Sequence, residues 1–296
     1  MLLTRVYLFP VLVFLLVPAT FVISYVIAAV NHHVTVVFPF ISDTGAKAPE
    51  SCIFGQLLNI AAVLMGICIY LRHREVVEFH RYAREKYRWL LISSNVFLYI
   101  GYLAALGVSM VANFQESRVL VVHLVGAFMA FGLGLLYAWA QTVFSYIIKP
   151  IMCKRWLAHL RLLACLISTG FFISMVSCGR FRSGGYGNHT VTPAPRTLPY
   201  IFDPTVDKGY DLYLCSTFSE WIMSISFMFY FLTFGVELFH ATLVSPRLVL
   251  NIDECDFPRD CLVPKVQDYT RNYGPDSSYI SPGSPSSTDD YSTRGL

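Results

Sequence analysis

Charge is what this 296-residue chain has least of: 14% of its residues are Asp, Glu, Lys or Arg, against roughly 25% in an average soluble domain. That shortage excludes an ordinary water-soluble domain of this size. Cysteine is sparse as well, with eight in the whole chain, far below the density of a small disulfide-stapled scaffold. Strong net charge is missing too, and +3 is too mild to argue for a nucleic-acid partner. The chain has no Ser nucleophile elbow, no phosphate-cradling Gly-rich loop and no paired-Cys motif, so no catalytic centre, cofactor or metal is expected. What remains is apolar: 55% of residues are hydrophobic and 15% aromatic, the composition of a membrane protein.

A helix needs roughly 20 apolar residues to cross a hydrocarbon core about 30 Å thick. Six stretches qualify, at 7–30, 53–71, 89–112, 119–148, 157–178 and 215–239. The expected fold class is therefore all-α, a polytopic membrane protein built as a six-transmembrane-helix bundle. Its spans fill a domain over 1–245. The first run resembles a signal peptide, with Arg5 before it and Ala28 and Ala29 at its end, but its apolar core is too long and a retained span is expected. Residues 246–296 form a disordered, acidic, Ser/Pro-rich tail by composition, which cannot bury enough apolar surface to offset chain entropy. Ser281 and Ser284, each before a proline, are phosphorylation candidates there.

Positive charge sets the orientation, because Lys and Arg in short loops stay cytoplasmic. The stretch Arg72 to Arg88 holds six of them and Lys149 to Arg161 holds four. Both termini are therefore expected in the cytosol. The sole N-x-S/T sequon, Asn188-His189-Thr190, then falls in a lumenal loop, which makes Asn188 a glycosylation candidate. Cys178, Cys215 and Cys52 lie at lumenal helix ends; Cys178 with Cys215 is the preferred disulfide, with Cys52 as the alternative, and free thiols remain open. Cys153, beside a cytoplasmic edge, is a palmitoylation candidate, while Cys255 and Cys261 in the tail should be reduced.

Hydrocarbon supplies no hydrophobic drive between helices, so small residues must let backbones approach. Gly126, Ala130 and Gly134 form such a ridge on the fourth span and Gly101, Ala105 and Ser109 another on the third. Only a short connection joins these spans, so the two ridges are expected to meet in an antiparallel hairpin. Polar residues within spans are the usual functional pointers. His123 and Glu220 lie at similar lumenal depth, where they could pair or simply be hydrated. Asp43-Thr44-Gly45 copies an aspartic-protease tripeptide, but a single copy in a connecting loop cannot supply the paired carboxylates of that chemistry. His32, His33 and His189 lack metal-ligand spacing. The basic residues Arg72, Arg74, Arg81, Arg84, Lys86 and Arg88 alternate with Val76, Phe79, Ala83 and Tyr87. Ordinary positive-inside topology is the preferred reading of that stretch, and a short helix on anionic lipid headgroups the second.

The loop from Asn31 to Cys52, with Phe38-Pro39-Phe40-Ile41-Ser42-Asp43-Thr44-Gly45 and Ala48-Pro49-Glu50-Ser51-Cys52, resembles the damage-regulated autophagy modulator (DRAM) family. The resemblance extends to Ile23-Ser24-Tyr25, Asn59-Ile60-Ala61-Ala62, Ala112-Asn113-Phe114-Gln115-Glu116, His123 with Gly126, Gln141 with Ser145-Tyr146, Asp207-Lys208-Gly209-Tyr210 and Glu220-Trp221. It covers about residues 6 to 242. It implies a six-span protein of lysosomal or endosomal membranes that promotes autophagy, with no catalytic residues to carry over. The wider group includes GPI-lipid-remodelling proteins and anchors of a phosphoinositide kinase, so a plasma-membrane or Golgi scaffold for phosphoinositide synthesis or lipid distribution is the alternative, and a lipid-remodelling enzyme a remote third. The loop motif of Ser42, Asp43, Thr44, Gly45, Pro49 and Glu50 is read first as structure packed over the lumenal helix ends and second as a binding element. Beyond the bilayer and anionic headgroups, no partner follows from the residues.

Overall fold

The structure, a computed structural model, describes residues 2–3, 5–82, 87–148, 153–184, 209–239 and 241–244. Arg84, Lys86, Asn188, His189 and the tail from 246 onward lie outside them.

Six helices are long and apolar enough to cross a membrane. They are α1 (Leu8–Val30), α2 (Glu50–Tyr82), α3 (Arg88–Asn113), α4 (Leu120–Ile148), α5 (Arg155–Gly184) and α6 (Tyr210–Leu238). In hydrocarbon every backbone N–H and C=O must be satisfied within the segment, which is why long apolar runs become helices whatever their side-chain propensities. A two-residue antiparallel pairing of Leu2–Leu3 with Leu243–Val244 ties the chain's beginning to the residues just after α6.

Each helix packs on its neighbour in sequence, and α6 packs back on α1, so the six close into a ring. Short connections enforce antiparallel neighbours at α2–α3, α3–α4 and α4–α5, and the even number of spans returns both ends of the bundle to the same side. One end of the ring carries the loop 31–49 (the loop end); the other carries the α2–α3 and α4–α5 connections (the charged end). Outward faces present large apolar side chains such as Leu15, Val63, Tyr99, Val121 and Phe229, the surface expected of helices bathed in lipid.

Most helix limits fall within a few residues of those read from hydropathy. The exception is α2, which continues past residue 71 to Tyr82 as one 33-residue helix. Its extra turns are held by burial: Val76 and Phe79 pack against Leu90 of α3 and Phe144 and Ile148 of α4. The fourth span is one continuous helix with a π turn at Phe128–Leu133 in its middle.

The α3–α4 hairpin is close, but the third-span ridge named above is not its seam. The near approach is made by Gly107, where an added Cβ would stand 2.5 Å from Ala130 N and 2.7 Å from the Gly126 carbonyl oxygen. Gly101 faces Ile69 of α2 and the Tyr137 side chain of α4 rather than α4 backbone, and Ser109 donates to Asn59 Oδ1 of α2 at 2.6 Å. The third span thus has small residues on two faces. Gly101, Ala105 and Ser109 turn toward α2, the Tyr137 ring and the interior, while Gly107 turns to the α4 backbone, a choice set by ring closure rather than by spacing.

Candidate functional site

At the loop end, residues 33–50 fold into a cap. Three carbonyls along it are bound by aromatic or hydroxyl donors: Tyr25 donates to Val36 O at 2.6 Å, Trp221 Nε1–H to Pro39 O at 2.9 Å, and Thr44 to Ile41 O at 2.7 Å. Thr44 also meets Ser24 of α1 at 3.0 Å and is fully buried. Asp43–Gly45 is a single 3-10 turn, and Gly45 is needed there because a Cβ would lie 2.5 Å from the Phe54 ring. Ser42 donates to Glu116 Oε2 at 3.2 Å, and Glu50, wholly buried at the start of α2, meets His33 Nδ1 at 2.5 Å. Pro49 follows a cis peptide bond. The motif residues thus bind the cap to α1, α2 and the segment after α3, while Pro39 ties it to α6 through Trp221.

His123 and Glu220 do not pair. His123 Nδ1 meets the Phe114 carbonyl at 2.7 Å, closing the α3–α4 turn, and Glu220 Oε2 accepts the Ile41 N–H at 2.9 Å, fastening the cap to α6. Both nonetheless line one cavity of about 120 Å³ at the centre of the ring. Its walls include Gly101, Ala104, Ala105, Ala130 and Gly134, so part of the small-residue pattern borders open space.

The charged end holds a cluster that reading the spans separately does not reveal. Arg72 and Arg161, counted in the sequence as cytoplasmic-edge charge, are both 0% exposed. Arg161 grips Glu237 with two bonds, 3.0 Å to Oε1 and 2.6 Å to Oε2, and donates to Thr233 at 2.8 Å and Ser145 at 2.6 Å. Arg72 donates to Glu237 at 2.9 Å, Glu75 at 2.7 Å, Gln141 at 3.2 Å and Ser145 at 3.1 Å. The Arg161 guanidinium also lies 4.8 Å from the centre of the Phe234 ring. Two cations and two carboxylates make a neutral set, and planar guanidinium forks suit several acceptors at once. Arg72 is therefore withdrawn from any lipid-facing basic patch, whereas Arg74, Arg81 and Arg88 are exposed. The available signal in the sequence was charge balance across separate spans: a lone Glu237 near the end of α6 against Arg161 at the start of α5.

A family model described as the Frag1/DRAM/Sfk1/Cwh43P N-terminal domain matches residues 5–241, the whole bundle. The human DNA damage-regulated autophagy modulator protein 2 is 38% identical over 73% of this chain and 77% of its own length. The chain belongs to the DRAM family. The human DNA damage-regulated autophagy modulator protein 1 is 33% identical over 76% of this chain and 87% of its own. Mouse modulator of macroautophagy TMEM150B is 41% identical over 57% of this chain and 69% of its own. No solved structure matches.

In this DRAM-family chain the cysteines separate by position. The sulfurs of Cys178 on α5 and Cys215 on α6 stand 2.9 Å apart at the loop end, while Cys52 borders a polar cleft with Gln56, Asn59 and Asn113. In an oxidising compartment the two thiols are expected to form a disulfide, giving up two hydrogens to a donor disulfide that is reduced to its thiols. Non-reducing peptide mapping should then find a 178–215 cross-link, and alkylation of both thiols in the unreduced protein would rule it out. Cys153 is 1% exposed and packed in the charged-end core, where burial and the nearby Glu237 carboxylate push its thiol up to about 12. A buried, protonated thiol is not available for acylation, which removes it as a palmitoylation candidate.

Proposed function

We propose that this protein is a non-enzymatic membrane regulator that promotes autophagy from lysosomal or endosomal membranes. The carrying observation is the similarity to proteins named as autophagy modulators, which runs through all six spans rather than one motif. The polar residues of the bundle fit a structural role. Glu237 is committed to two arginines, Glu220 to the Ile41 amide and His123 to the Phe114 carbonyl. In this reading both termini and the charged end face the cytosol, where exposed Arg74, Arg81 and Arg88 obey the positive-inside rule. The capped end and Asn188 face the lumen.

A tagged copy should colocalise with lysosomal markers, and its overexpression should raise autophagic flux measured with a lysosomal inhibitor present. Asn188→Gln should abolish a glycosidase-sensitive mobility shift. Plasma-membrane labelling with altered phosphoinositide levels and unchanged flux would replace this reading with the phosphoinositide scaffold.

A further inference from the structure

The cavity inside the ring has the length, lining and open polar groups of a binding site. Its lining on α6 runs from Glu220 to Phe231, which at about 1.5 Å per residue is roughly 16 Å, or about half of a hydrocarbon core some 30 Å thick. It is walled mostly by apolar side chains, and such a space stays dry and takes an apolar occupant. Two lining hydroxyls, Ser224 Oγ and Tyr137 Oη, have no hydrogen-bond partner among the described residues, and each residue is only 4% exposed. Orphaned donors in an apolar interior are costly unless a ligand satisfies them. Ser224 lies one turn inward from Glu220 toward the bundle centre, and Tyr137 sits with Tyr230 at the deep end.

The fourth helix offers the way in. Its π turn, Phe128–Leu133, contributes Ala130 and Phe131 to the cavity, yet none of its six residues is buried. The wall there is a single layer between the cavity and the surrounding lipid, and π turns widen a helix locally where function requires it. The lipid phase outside is the most concentrated source of slender apolar chains available to such an opening.

We propose that the cavity holds one acyl chain of an ester-linked bilayer lipid from the leaflet at the loop end, admitted past the π turn, with the ester carbonyl accepting from Ser224. The chain then fills the depth from the Glu220 level to Tyr137 and lies against Gly134, Ala104 and Ala105. The small residues there keep room for a ligand, whereas Gly107 and Gly126 serve backbone contact.

The test uses the full-length protein in membranes loaded with a phosphatidylcholine that carries a photoreactive diazirine midway along one chain. Irradiation should place adducts on interior residues such as Phe227 and Met65 as well as on outward residues such as Leu15 and Ile173. In Gly134→Leu, which fills the cavity, the interior adducts should fall to background while the outward ones persist. Ser224→Ala should weaken interior labelling about fivefold, the loss of one hydrogen bond. Should Gly134→Leu not fold, Gly134→Ala provides the milder filling, since its Cβ would stand 3.8 Å from Phe227 in ordinary contact. Interior adducts undiminished in the filling variant and in Ser224→Ala would overturn the proposal. So would a wild-type protein labelled only on its outward faces. Interior labelling by a photoreactive sterol in place of the phosphatidylcholine would overturn the acyl assignment.

Discussion

Glu237→Ala is expected to be among the most damaging substitutions in the bundle, costing about 3–5 kcal/mol. The carboxylate is 2% exposed and accepts from both buried arginines, so its removal leaves one uncompensated positive charge in a low-dielectric interior. Glu75 then neutralises Arg72 only, and among the described residues Arg161 keeps its hydroxyl hydrogen bonds and the Phe234 ring but no carboxylate. The midpoint of thermal unfolding in detergent should fall by about 10 °C, taking 2–4 °C per kcal/mol for a domain of this size. The double change Arg161→Leu with Glu237→Leu separates charge loss from lost packing. It removes one charge of each sign and leaves the Arg72–Glu75 pair intact, so it should recover most of the loss. A double variant as unstable as Glu237→Ala would show that the cluster acts through its hydrogen-bonded shape rather than its charge balance.

Gly107→Ala is expected to produce the second large effect. A methyl group there would stand 2.5 Å from Ala130 N, 2.6 Å from Met129 Cβ and 2.7 Å from the Gly126 carbonyl oxygen. Two of those three atoms are backbone and cannot swing aside, so α3 and α4 must separate along their length. Overpacking of this kind costs about 1–3 kcal/mol, and the upper end applies where a helix must move. Gly134→Ala, by contrast, makes only ordinary contacts and gains helix propensity, so it should be neutral or stabilising by up to about 1 kcal/mol. The melting midpoint of Gly107→Ala should fall while that of Gly134→Ala stays level or rises, and equal destabilisation would show that the Gly107 contact does not govern the hairpin.

These contrasts show which features a reader of residues alone could find. Six apolar runs and two small-residue helices were legible, because composition and spacing along one helix are local properties. The role of each small residue was not. Gly107 falls outside the four-residue spacing of Gly101, Ala105 and Ser109, and whether it or they face α4 depends on how α3 is rotated between two neighbours. Arg72 shows the same limit with charge. As one of six basic residues flanking a span it reads as a solvated edge, yet extension of α2 through Val76 and Phe79 carries it inside to meet Glu237, 165 residues away. His123 and Glu220 were identified as intramembrane polar residues at similar depth, but each found a backbone partner nearer than the other.

The amino-acid sequence alone determined the six helical spans, because lipid forces every long apolar run into the same backbone structure, and its motifs marked the resemblance to the DRAM family. Only the tertiary structure decided which arginines are buried, where helices touch backbone to backbone and where they enclose a cavity, and how the cap is fastened. Those outcomes depend on closure of the ring between α1 and α6, which brings together side chains whose separation along the chain carries no signal of their contact.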